Sequence, residues 1–301
     1  MDDSRARLER RHPPEPAPRV GRWLVGLLTV AFAAAGATVL LALGGQITPS
    51  SDPGSPTTHV AWTWLAVALL VAVCALTSRG LDGPPVRPGP RLGIDLAVLV
   101  ACAIAFPAVM RLPVWQPEDY VLVKIVVLLA VPALSLWLLH RRVGPGVVVD
   151  RPRLGALAVV GAVAAVAAHQ AITQFGPGNA AADFSRYDLT TLVVAATATA
   201  LTASIGEEIF HRYWLQTRVE ALWGRWPAIL LASAIFGLMH LASHTAGHGV
   251  GIGVAIVIAN QGVFGIACGY LWSRYRRLWL PILLHLSTNG LLVVIYLAGQ
   301  A

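Results

Sequence analysis

Charge is scarce in this 301-residue sequence. Asp, Glu, Lys and Arg make up 12% of it while 56% is hydrophobic, for a mean hydropathy of +0.66. Those proportions exclude a soluble globular domain and place the chain among multi-span membrane proteins. Cysteine is nearly as scarce: Cys74, Cys102 and Cys268 each sit inside an apolar run without CxxC spacing. That argues against a disulfide framework or a cysteine metal site and leaves them as small packing residues. No internal repeat is visible, and no alternating segments of about ten residues of the kind a barrel needs. The apolar runs are instead continuous over about 20 residues, the length of a spanning helix, so the expected fold class is all-α, a polytopic transmembrane helix bundle. The net charge of +7 comes from basic residues scattered over short loops, not gathered in one patch. Nucleic acid is therefore not an expected partner.

About nine spans are expected, over residues 23–43, 60–77, 92–110, 121–140, 155–173, 189 through the polar stretch that begins at Glu207, 227–242, 251–272 and 281–298. Residues 1–22, rich in Arg and Pro, read as a disordered tail, and the first apolar run is of spanning length, unlike that of a cleaved signal peptide. If the N-terminus is cytoplasmic, the inside segments 1–22, 78–91, 141–153, 212–225 and 273–279 hold 19 of the 22 Lys and Arg residues. That asymmetry predicts an N-in, C-out chain. Lys124, just inside the fourth span, is expected to snorkel to an interface. Trp214, Trp223, Trp226, Trp272 and Trp279 fall near the same boundary, as an interfacial belt would.

Within this apolar background one stretch is densely polar, Glu207-Glu208-Ile209-Phe210-His211-Arg212. Ionised groups near a bilayer lose hydration, which makes such a cluster a functional site by default. Glu208 and Arg212 are spaced i,i+4 and can pair on one helix face. Glu207 then points roughly 100° away, free for chemistry. A turn at Gly224 follows, and the next apolar segment ends in Phe236-Gly237-Leu238-Met239-His240. Glu207 and His240 are nearly equidistant from that turn, so an antiparallel hairpin sets them at one depth. In the last span His285 and Asn289 share a face near its start. A carboxylate, two imidazoles and a carboxamide suffice for peptide hydrolysis without a Ser or Cys nucleophile. Glu207 could take a proton from water, His240 could hold that water, and His285 and Asn289 could donate to the oxyanion on the scissile carbonyl.

These three sets, in this order and each near a helix end, resemble the motifs of the CAAX protease and bacteriocin-processing family, which includes the Ras-converting prenyl-protein endopeptidases. The resemblance covers about the last third of the chain. It implies a glutamate-dependent intramembrane protease in which Glu207 and His240 activate water, His285 and Asn289 form the oxyanion hole, and Glu208 and Arg212 brace the first helix. It also implies a membrane-anchored protein or peptide substrate, with cleavage C-terminal to a lipidated Cys as one form, and no cofactor. The chain departs from the commoner family pattern at His211, where an aromatic usually precedes the Arg, and at Tyr213, where a Gly usually follows. The implied organisation is a tail (1–22), N-terminal spans of unassigned role (23–173) and a catalytic membrane core (189–298). In a bacterium the location would be the plasma membrane, with the site toward the cytoplasm.

Two other readings stay open. His240, His244 and His248 recur every four residues and could bind zinc, although no HExxH is present and Thr245-Ala246-Gly247 argues that the helix ends before His248. A non-catalytic scaffold, immunity protein or transporter subunit would keep the polar cluster for packing alone.

Overall fold

The computed structural model describes residues 18–49, 57–81, 85–110, 112, 114, 119–179, 183–244 and 249–299. Their principal helices are α1 (Pro18–Leu43), α2 (Val60–Thr77), α3 (Leu92–Val109), α4 (Asp119–Val143), α5 (Ala156–Phe175), α6 (Leu189–Trp223), α7 (Arg225–Leu238), α8 (Gly249–Tyr275) and α9 (Trp279–Ala298). They correspond one to one with the expected spans. All but α7 are long and apolar enough to cross a membrane, and the chain is an integral multi-pass membrane protein. Large apolar side chains such as Trp23, Leu41, Ile104 and Leu157 point outward, as lipid-facing residues do. The central span is α8, 72% buried where no other long helix exceeds 39%.

Four expectations need correction. The first helix starts at Pro18 and not at Trp23, because Pro suits the first helical position, where its missing N–H is no loss. Residues 18–22 are thus helix, and the remainder of the expected tail lies outside the described residues. The seventh span is a 14-residue helix, then a turn at Met239 and His240 and a separate helical turn Leu241–His244. At 1.5 Å per residue α7 is about 21 Å long, short of the ~30 Å hydrocarbon core. Segment 212–225 is not a loop: α6 runs unbroken to Trp223, and Gly224 alone, at φ +88°, makes the turn into α7. Finally, Trp272 is no belt residue. It is buried, its indole N–H donating to Thr217 Oγ1 at 2.9 Å.

Two short antiparallel ribbons tie the loops at opposite ends of the bundle. At one end β1 (Gln46–Ile47) pairs with β2 (Thr58–His59), and Thr58 donates to Asn179 Oδ1. At the other, β3 (Val86–Pro88) pairs with β4 (Val147–Val149), while Arg274 donates to Ser78 and Arg277 to the Pro152 carbonyl. The Arg-rich loops thus share one end. The first turn of α6 is capped by Asp188, which accepts from the Thr191 hydroxyl at 2.6 Å and the Thr191 amide at 2.9 Å. Those bonds hold its carboxyl below the usual carboxylate range.

Two apolar clusters form the interior. One joins α1, α2, α5, α7, α8 and α9; the other joins α3, α4, α6 and α7. Close approach depends on Gly237 of α7, where a Cβ would stand 2.7 Å from the Val257 carbonyl oxygen and 3.1 Å from the Gly262 amide nitrogen of α8. Small residues allow such contacts between spanning helices. Backbone cannot step aside as a side-chain tip can. Gly237→Ala is therefore expected to destabilise the protein by about 1–3 kcal/mol, read by denaturant unfolding in detergent. Gly26→Ala, where a Cβ meets nothing within 4 Å, should show no loss.

Candidate active site

The site is built on a widened stretch of α6. Residues Ala200–Glu207 and Ile209–Gln216 carry π-helical hydrogen bonding, a geometry frequent at functional sites and uncommon elsewhere. It turns Glu207 and Glu208 inward together, both essentially without solvent exposure. Two adjacent buried carboxylates need cations, since an unpaired ion in a low-dielectric interior is costly.

Glu208 has the expected partner. Arg212 Nε donates to its Oε2 at 3.1 Å, and the guanidinium lies 5.1 Å from the centre of the Phe236 ring. Its second oxygen, Oε1, accepts from His285 Nδ1 of α9 at 2.8 Å. Glu208 thereby fastens α6 to α9, with Cys268 of α8 against both Glu208 and Arg212.

The partner of Glu207 contradicts the snorkelling expected of Lys124. That residue, the single lysine of the sequence, is 5% exposed and forms an ion pair with Glu207 Oε1. Its Nζ also lies 5.3 Å from the Tyr120 ring centre. A buried carboxylate attracts the ammonium more strongly than a distant headgroup region does. The N-terminal spans, whose part was unassigned, therefore supply one charge of the site.

The other Glu207 oxygen, Oε2, is buried with no hydrogen-bond donor among the described residues. It faces His285 Nε2 at 4.0 Å. Because a carboxylate only accepts, His285 Nδ1 carries the ring proton shared with Glu208, and Nε2 is the atom turned to Glu207. His240 is arranged similarly, its Nδ1 donating to the Phe236 carbonyl at 2.8 Å. That leaves Nε2 free, and the ring is in electrostatic contact with Glu207. Asn289 Nδ2 donates to Ser204 Oγ of α6 at 3.1 Å, keeping a second proton unassigned. Asn289 is exposed and His240 half-buried, so the site opens on that side and is sealed at Glu208 and Arg212.

Phe236 organises the rings. Its centroid lies 5.0 Å from His240, 5.9 Å from His285 and 5.2 Å from His211. His211 packs there as an aromatic would, with Nδ1 donating to the Glu207 carbonyl. Tyr213 turns outward, edge-on to Trp272. All six residues singled out from the sequence thus meet around α6. Lys124 and Ser204 were missed as members. The lone lysine in an apolar span was a legible signal; nothing in the sequence marks Ser204.

Among the described residues no three His, Cys, Asp or Glu side chains group as a metal site. His244 accepts from the Gln261 amide at 2.9 Å, and His248 and residues 245–247 lie outside the described residues.

Residues 189–291 match the family model described as type II CAAX prenyl endopeptidase Rce1-like. The match spans α6 through most of α9 and bears out the resemblance carried by Glu207, His240, His285 and Asn289. No curated protein and no solved structure matches the chain.

Lys124→Met leaves Glu207 buried without its cation and is expected to cost about 3–5 kcal/mol of stability. In a double-mutant cycle, Lys124→Met with Glu207→Gln should lose less than the sum of the two single changes. Denaturant unfolding in detergent measures all four proteins; strict additivity would show that the pair carries no coupling.

Proposed function

We propose that this protein is an intramembrane endopeptidase that cleaves a membrane-associated protein or peptide with water activated by Glu207. The observation that carries the reading is the asymmetry of that carboxylate. One oxygen is held by Lys124, while the other is buried, has no donor among the described residues, and faces imidazole. A base fixed in this way costs little reorganisation when it takes a proton. The match of residues 189–291 to a prenyl endopeptidase family supports the same reaction class.

In the proposed reaction a water donates one proton to Glu207 Oε2 and lies against His240 Nε2, which directs its oxygen lone pair at the scissile carbonyl. The oxyanion accepts from the second Nδ2 proton of Asn289 and from His285 Nε2. With Nδ1–H committed to Glu208, His285 donates there only as imidazolium, a charge flanked by Glu207 and Glu208. Collapse of the intermediate breaks the C–N bond, and the leaving amine takes the proton held by Glu207. Low local dielectric strengthens each of these donors. No metal takes part in this scheme.

The substrate proposed is a membrane-anchored peptide cut C-terminal to a lipid-bearing Cys. The Arg-rich end of the bundle is assigned to the cytoplasm by the positive-inside rule, and the membrane is the plasma membrane if the cell is bacterial.

The test is cleavage of C-terminal peptides, prenylated or bare, by the full chain in liposomes. Glu207→Gln is expected to lower kcat by at least about 10³-fold, and Asn289→Ala by about 10²–10³-fold, with folding checked by unfolding midpoint. A chelator should leave the rate unchanged. Loss with chelator and recovery with zinc would favour the metal reading, and unchanged cleavage by Glu207→Gln would overturn the mechanism.

A further inference from the structure

The Arg-rich end of the bundle holds a second concentration of buried charge, away from the Glu207 carboxylate. A cavity of about 400 Å³ opens there between the β3–β4 ribbon, the C-terminal end of α4, the last turns of α6 and the end of α8. Its volume falls in the ~300–1,000 Å³ range of small-ligand sites. Arg91, Arg151, Arg218 and Arg276 line it, and among the described residues no carboxylate does. Arg91, Arg218 and Arg276 are each buried, while Arg151 is exposed at the mouth.

Behind the wall two carboxylates answer part of this charge. Asp95 pairs with Arg91 at 3.2 Å and with Arg218 at 2.8 Å. Glu220 pairs with Arg276 at 2.5 Å. Arg91 and Arg218 share the one Asp95 carboxylate, so among the described residues the guanidiniums outnumber the carboxylates around a cavity with low-dielectric walls, a state that favours an anionic occupant. Guanidinium forks match phosphate oxygens in pairs and bind them as planar donors. The cavity is also walled by Trp214 and by the exposed Trp137, which carries Arg141 on its ring at 3.9 Å. Tryptophan with arginine marks the headgroup level of a bilayer.

We propose that this cavity binds a phosphate group, presented by the headgroup of an anionic lipid. The site is separate from peptide cleavage and does not rest on it. Free inorganic phosphate has the same chemistry and is the other source to be distinguished.

The experiment uses the full chain, stripped of lipid in detergent and titrated with short-chain phosphatidate, phosphatidylcholine of the same chains, or inorganic phosphate. Bound mass is read by native mass spectrometry, and stability by the unfolding midpoint. Two surface variants carry the argument. Arg151→Glu removes the surplus at the mouth; Arg153→Glu makes the same change of net charge at an exposed residue outside the lining. Expected are one tightly held phosphatidate in the native protein and in Arg153→Glu, at least tenfold weaker binding in Arg151→Glu, and phosphatidylcholine weak in all three. Equal binding by the two variants, or phosphatidate no tighter than phosphatidylcholine, would overturn the site. Stabilisation by millimolar phosphate that phosphatidate does not exceed would overturn the lipid as its source.

Discussion

Everything at the centre of this bundle depends on burying two consecutive carboxylates. Side by side and out of water, Glu207 and Glu208 repel one another and lose hydration, and the fold persists only because each has its own cation. The two solutions differ in origin. Arg212 comes from the same helix four residues on, a pairing that local spacing supplies. Lys124 comes from α4, more than eighty residues earlier in the chain. His285 then joins the pair from the far side through Glu208. Three helices are therefore fixed by one electrostatic requirement, and the residues that satisfy it leave a single carboxylate oxygen without a donor.

The backbone contributes in parallel. A regular α-helix would separate consecutive side chains by about 100°, whereas the widened turns on both sides of Glu208 let Glu207, Glu208 and Ser204 all present to α4, α7 and α9. Such a stretch is rare in helices, and here it is enclosed by packing from α4, α7 and α9. Phe236 lies at the middle of that packing, with three imidazoles and a guanidinium on its ring. Its role is positional, since each imidazole it touches is also tied by a hydrogen bond.

The spans and most of the site were legible because they rest on local patterns. Apolar runs of bilayer length identify helices, and Gly224 marks a turn from which Glu207 and His240 count out to similar depth. The spacing of His285 and Asn289 places them on one face, and both indeed reach α6. What stayed hidden was long-range. Lys124 near a span end has two reasonable fates, and only the position of Glu207 in space decides between water and ion pair. The π-helical turns leave no composition signal, because they arise when side chains on neighbouring helices pack better with an extra residue in the turn. Counting Arg212 and Arg218 as loop charges failed for a related reason: an arginine with a carboxylate partner is stable in a helix interior, where an unpaired one is not.

That last point separates the two charge clusters of the molecule. Around Glu207 the positive and negative groups balance while His285 is neutral, with Lys124 and Arg212 against two carboxylates, so the resting cluster can remain buried without a counterion and without an occupant, and the proton that His285 takes on for the reaction is answered by the oxyanion. Around Asp95 and Glu220 the arginines outnumber the acids among the described residues, which is tolerable only where water, headgroups or an anion can reach. The cavity there lies among the loop ends and ribbons, and Arg151 at its mouth is exposed. Balance permits depth and surplus demands access. By that rule the inner cluster suits chemistry that begins and ends with the same charge, as proton transfer through Glu207 does, and the outer cluster suits binding an ion from outside.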